Sequence, residues 1–287
     1  MRLQVVVNPS AGGGRAAKVL PSVQQALAGH DVLITPTSSL EHADQLVADA
    51  ITDERVVVAM GGDGIVGRVA GAVSRLGGVM AVVPGGRGND FCRSVGIPRD
   101  PAAAAALLGS SVETPIDLGY AGDRAFIGIA SIGFDSECQE RALRSTLPLG
   151  GLTYLVSALA TVASWTPAKF HCTADGAALE LEGWSVAVAN TGVYGGGMHL
   201  APNASVTDGL LDVVTSSTTS RGKFLRTLPA LFKGTHVQEP SVSVRTASVV
   251  TLDADRPFRV FADGDPVATL PCTVTVKPGA LRVLLPA

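Results

Sequence analysis

The chain has 287 residues, 46% hydrophobic and 16% charged, so it can fill two packed domains and is too apolar to remain disordered. Its formal net charge of −3 excludes a broad nucleic-acid-binding surface, and no nucleic acid is expected as a partner. Cys92, Cys138, Cys172 and Cys272 show no paired spacing, which argues against a disulfide framework or zinc site and favours a reducing cytoplasm.

In chain order, MRLQVVVNPS reads as a strand followed by a loop, not as a signal peptide. LQVVVN (3–8), DVLITPT (31–37), RVVVAM (55–60) and GVMAVVP (78–84) are predicted strands. Between them, Arg15 to Leu27, Glu41 to Ile51 and Val66 to Leu76 have helical periodicity. Continuous apolar strands separated by helices imply a parallel sheet covered on both faces, with ligands beyond the carboxyl ends of its strands. After about Ile116 many short strands joined by turns replace this alternation, interrupted by helical insertions near 137–165 and 219–233. The predicted fold is therefore α/β, with a parallel-sheet domain over 1–117 and an antiparallel β-sandwich over 118–287 whose last strand is free to return to the first domain. A cleft between the two is expected. The uncharged stretch from Ser145 to Ala168 has the length of a membrane span, but Pro148, Gly150, Gly151 and Pro167 interrupt it. A buried helix between domains is the expectation there.

Chemistry gathers at the strand ends. GGDGIVG (61–67) follows a strand and opens a helix, where backbone N–H groups and the helix N-terminus favour phosphate oxygens. Asp63 within that turn would repel bare phosphate, which implies a bridging Mg²⁺ or a held water. NPSAGGGR (8–15) and PGGRGNDFCR (84–93) occupy equivalent positions. Arg15 would neutralise phosphate charge, and Asn89 and Asp90 supply an amide and a second carboxylate. A dinucleotide fingerprint is disfavoured, because neither following strand ends in the acid that binds the ribose.

These motifs, with SIGFDSE, NTGVYGGGMHLAPNASVTDGLLDVV and DGDP, occur in the order of the diacylglycerol kinase and sphingosine kinase family, which the chain resembles from residue 5 to about 267. The resemblance implies a nucleotide-binding α/β domain, a β-sandwich and an active site between them. It implies ATP and Mg²⁺ as cofactors and a lipid acceptor, diacylglycerol by default, met at the inner membrane surface. By position, Asn8, Pro9, Ser10, Gly12, Thr37, Gly61, Gly62, Asp63, Gly64, Ile65 and Gly67 resemble the ATP-binding residues. Arg87 stands where the family has a nucleotide-contacting Thr, and Ile65, Gly67 and Arg68 depart from its usual turn. Asp265 replaces the Glu that serves as general base; it acts through a shifted backbone, or Asp263 shares the role. Asp208, with backbone oxygens of Ser205 and Leu210, resembles a structural Mg²⁺ site. Phe134, Tyr154 and Tyr194 are candidates for an acceptor pocket, and the amphipathic segment 220–235 packs on the sandwich or lies on a membrane. Two rivals remain: an NAD kinase, weakened by the absence of an Asn-Glu dipeptide, and a catalytically weak or non-catalytic lipid-binding homologue.

Overall fold

Valine-rich runs that are apolar at every position must be covered on both sides, and this decides how the first half is built. In a computed structural model describing residues 1–145 and 153–287, β1 (Arg2–Val7), α1 (Ala11–Ala26), β2 (Asp31–Pro36), α2 (Leu40–Thr52), β3 (Val56–Gly61), α3 (Asp63–Leu76) and β4 (Val79–Pro84) alternate as expected. The four strands pair in parallel in the order β2-β1-β3-β4. Val6, Val57, Ala59, Met80 and Val82 pack with α2 and α3, while Leu3, Val5, Val7, Val58, Met60 and Val83 pack with α1. Both faces are dry. The order reverses between β1 and β3, so a crevice opens beyond their carboxyl ends. The loops after β1 and β3 border that crevice, and the loop after β4 adjoins it.

Local signals set the boundaries. Ser39 Oγ accepts the His42 N–H at the start of α2, and α3 stops at Gly77, which has a left-handed φ of 72°. After α4 (Asp90–Ser94) comes a helix the sequence reading left out, α5 (Pro101–Leu107), capped by Asp100 with proline at its first position.

The second half comprises β5 (Val112–Ala121), β6 (Arg124–Phe126), β7 (Ile129–Gly133), α6 (Phe134–Arg144), α7 (Thr153–Ser164), β8 (Ala168–Ala174) and β9 (Ala177–Ala189). It continues through β10 (Val193–Tyr194), β11 (Met198–His199), β12 (Leu211–Ser217), α8 (Arg221–Leu231), β13 (Val242–Ala247), β14 (Val249–Leu252), β15 (Arg259–Ala262), β16 (Asp265–Thr269) and β17 (Cys272–Leu285). Pairing within this half is antiparallel, and β17 also runs parallel to β4, joining the two halves into one hydrogen-bonded sheet.

Helices α6, α7 and α8 gather over one aromatic cluster. Phe224 of α8 stacks on Trp184 at 3.8 Å, and Phe134 of α6 meets both Trp165 and Phe224 edge-on. Phe134 is thus a core residue and not a pocket wall; Tyr154 lies outside the described side chains. The expectation of a buried helix within 145–168 needs revision. α7 sinks Val162 and Ala158 into the core but leaves Val156 and Leu159 exposed. Segment 220–235 divides in the same way: Phe224, Leu228 and Leu231 pack inward, and Leu225 and Phe232 face out. Among the described residues no helix is long and apolar enough to cross a membrane.

Candidate active site

The three glycine-rich loops converge. Gly85 and Gly86 donate their N–H groups to Gly61 O at 2.7 and 2.9 Å, binding the loop after β4 to the loop after β3. A Cβ on Gly86 would stand 2.5 Å from Gly62 Cα, so only glycine admits this approach. Gly12, Gly13 and Gly14 all have positive φ, and the loop they form backs onto Gly85 O. Arg87 Nη2 lies over Gly13, and Arg15 is exposed beside it; neither forms an ion pair among the described residues.

Not every predicted residue faces outward. Asn8 Oδ1 accepts from Ser10 N and Ser10 Oγ, and Pro9 sits inside that turn. Asn89, at a φ of 50°, bonds Gly86 through both ends of its amide, accepting the Gly86 N–H and donating to Gly86 O, so its side chain staples the loop. Ile65 is 5% exposed and packs against Gly61 in the core. Thr37 donates its N–H to Val7 O at the end of β2. Arg68 is held in a bidentate pair by Asp44 on α2.

Two carboxylates meet at Gly88. Asp63, the first residue of α3, uses Oδ1 to accept the N–H groups of Asp90 and Phe91. A Cβ on Gly88 would stand 3.0 Å from Asp63 Oδ2 and 3.2 Å from Asp90 Oδ2. Asp90 Oδ2 accepts the Gly196 N–H from the second half at 2.8 Å, while its buried Oδ1 has no hydrogen-bond partner. Burial raises the Asp90 carboxyl to about 6; the Gly196 bond opposes this and the Asp63 charge adds to it.

The second half brings the turn between β15 and β16 against the first turn of α3. A cleft of about 260 Å³ is lined by Gly64, Gly67, Arg68 and Arg75 of α3, by Asp123 and Arg124 of the β5–β6 hairpin, and by Asp263 and Asp265. A Cβ on Gly64 would lie 3.6 Å from Asp265 Oδ2, so the base candidate faces the residue that follows Asp63. Loss of water in the cleft raises the Asp265 carboxyl above its ordinary value, and Arg124 and Arg68 pull it back. Asp263 accepts the Ile127 and Gly128 N–H groups, and burial takes its carboxyl to about 7.

Ser205, Asp208 and Leu210 lie apart, and none lines the cleft. Asp208 Oδ1 accepts the Leu210 N–H, and Ser205 Oγ bonds Thr207 Oγ1. Sequence reasoning missed what holds that loop. Asp117, 2% exposed, accepts the Gly209 N–H with one oxygen and the Gly279 N–H with the other. Its only sequence signal was an acid inside the apolar run IDLGYA. Arg124 was missed too, and so was Asn190, whose amide donates to Asp117 O and Ile127 O. Tyr194 OH reaches Asp135 Oδ1 at 3.5 Å; burial raises the Asp135 carboxyl to about 6.

Comparison with known proteins agrees on the two-part fold. Residues 2–121 fit the family model described as the diacylglycerol kinase catalytic domain, and residues 128–285 fit that of the YegS C-terminal NAD kinase beta sandwich-like domain. The chain is 34% identical to a diacylglycerol kinase of Mycobacterium tuberculosis, covering 99% of this chain and 95% of that one. It is 32% identical to a "Probable lipid kinase YegS-like" of Pseudomonas aeruginosa, covering 100% of this chain and 95% of the relative. A diacylglycerol kinase structure from Bacillus anthracis str. Sterne superposes with a TM-score of 0.75 at 20% identity, covering 99% and 96% of the two chains, and so supports the fold.

Proposed function

This chain belongs to the diacylglycerol kinase and YegS-like lipid kinase family, and on that premise we propose that it transfers the γ-phosphoryl group of ATP to a lipid hydroxyl, diacylglycerol first among acceptors. The observation that carries this reading is the approach of Asp265 to Gly64, which sets a carboxylate against a phosphate-compatible helix start across one cleft. The open backbone N–H groups of the glycine loops and the N-terminus of α3 hold the triphosphate, and Arg15 and Arg87 offset its charge. The lipid hydroxyl attacks the γ-phosphorus in line. Its O–P bond forms as the bond to the bridging oxygen breaks and ADP leaves, and Asp265 takes the hydroxyl proton.

The residues at Gly88 suit a Mg²⁺. Two carboxylates converge there, one with a buried oxygen that has no hydrogen bond and faces the Arg93 guanidinium at 3.8 Å, and this ion keeps waters and phosphate oxygens as its other ligands. Asp63 and Asp90 would hold it, and it would supply charge neutralisation at the β- and γ-phosphates. A second Mg²⁺ on Asp208 and the backbone oxygens of Ser205 and Leu210 would brace a loop that Asp117 already holds.

The acceptor arrives from a membrane surface. Leu143, Val156, Leu159 and Leu225 are exposed on α6, α7 and α8, and Phe232 just beyond α8, with Arg226 and Lys233 nearby in the chain; Arg141 and Arg144 are paired with Glu137 and Glu140. Such a face suits the inner leaflet of an anionic membrane. Purified protein given radiolabelled ATP, Mg²⁺ and a lipid panel in vesicles tests the reading. Labelled phosphatidic acid from diacylglycerol is expected; no labelled lipid from any member of the panel would overturn it.

A further inference from the structure

The dipeptide Asp263-Gly264 has an ordinary explanation and leaves a residue unexplained. Ala262 pairs with Asp265, so these two residues form a two-residue hairpin loop, with φ of 51° and 91°. Positive φ at both positions is what a type I′ turn requires, and Asp-Gly serves it well. Asn-Gly serves it equally. Turn chemistry therefore accounts for the backbone but not for the choice of a carboxylate.

The carboxylate has its own contacts. Oδ2 accepts the Ile127 N–H at 2.8 Å and Oδ1 accepts the Gly128 N–H at 2.9 Å. Each oxygen is engaged by a separate amide, on the segment between β6 and β7. From the other side α3 presses against it, where a Cβ on Gly67 would stand 2.6 Å from Oδ2; on the amide side a Cβ on Gly128 would stand 2.5 Å from Oδ1. The group therefore fills a slot where the nucleotide-side helix meets the second half. Asp265 begins two residues later, facing Gly64 one turn earlier on the same helix.

We infer that Asp263 is a positioning residue and not a second base. Its carboxylate, pinned by two backbone amides and seated on Gly67, fixes how far Asp265 stands from the Gly64 turn. The base role needs a side chain open to the acceptor, and among this pair Asp265 is the exposed one. The inference rests on the lipid-kinase reading above for its catalytic consequence, while the pin itself is a property of the fold.

Asp263→Asn separates the two explanations, because it preserves the turn and the side-chain volume but turns an NH₂ donor toward one of the two amides. Amide hydrogen exchange at Ile127 and Gly128 is expected to accelerate at least tenfold in this variant. With lipid and ATP, kcat is expected to fall at least about tenfold while the Kd for a non-hydrolysable ATP analogue stays within about twofold. Gly67→Ala, which removes no titrating group, should push the slot open, accelerating exchange at the same two amides and lowering kcat. Unchanged exchange at both amides, or a Gly67→Ala enzyme with wild-type kcat, would overturn the inference. A wild-type protein with no lipid-dependent turnover would instead overturn the lipid-kinase reading, and the exchange result would still decide whether the pin exists.

Discussion

The two halves of the molecule bring opposite chemistry to the first turn of α3. The parallel-sheet half contributes backbone N–H groups at strand ends, with Arg15 and Arg87 exposed around them. The antiparallel half contributes a hairpin turn carrying Asp263 and Asp265. The first set suits a polyanion; in the second, Asp265 suits a proton to be removed and Asp263 is engaged by backbone amides. Nucleotide binding and the chemical step should therefore be separable by mutation, even though the sheet runs unbroken from one half to the other.

The sharpest break of that comparison is Asp265→Asn. It should lower kcat by about 10²- to 10⁴-fold and leave nucleotide affinity within about twofold, measured by labelled-lipid formation and calorimetric titration. Gly86→Ala should do the reverse. A Cβ there has 2.5 Å to Gly62 Cα, so the two loops must part, costing about 1–3 kcal/mol of stability and weakening ATP binding about tenfold or more. Thermal melts and the same titration check it. A finer effect is expected from Arg124→Ala. Burial raises the Asp265 carboxyl and Arg124 lowers it, so removing the arginine raises it further. Since the ionised form accepts the proton, the acid limb of the kcat/KM profile should move to higher pH, with a several-fold loss at acid pH that fades in alkali.

What the sequence made legible follows the same division. NPSAGGGR, GGDGIVG and PGGRGNDFCR are backbone turns at strand ends, so strand, glycine and helix in succession announced them. Even so, the facing of their side chains was hidden. Ile65 turns inward and Asn89 bonds its own loop because tertiary packing, which no local pattern encodes, decides those directions. In the second half Asp265 was reached through family resemblance alone, since a DGDP turn reads first as a hairpin. Asp117 and Asn190 act on partners 92 and 73 residues away, at Gly209 and Asp117. Nothing in a strand's alternation signals a contact of that range. Helix α5 was missed for a different reason: its run of alanines carries no apolar periodicity to read.

The central claim is that the triphosphate lies on the glycine turns with its terminal phosphate facing Asp265. A crystal structure with Mg²⁺ and a non-hydrolysable ATP analogue measures this directly. The account predicts the terminal phosphate at the start of α3, opening into the cleft lined by Asp265 and Arg124, with the ion at Asp63 and Asp90. A nucleotide bound away from these turns, or one whose terminal phosphate points away from that cleft, would contradict it.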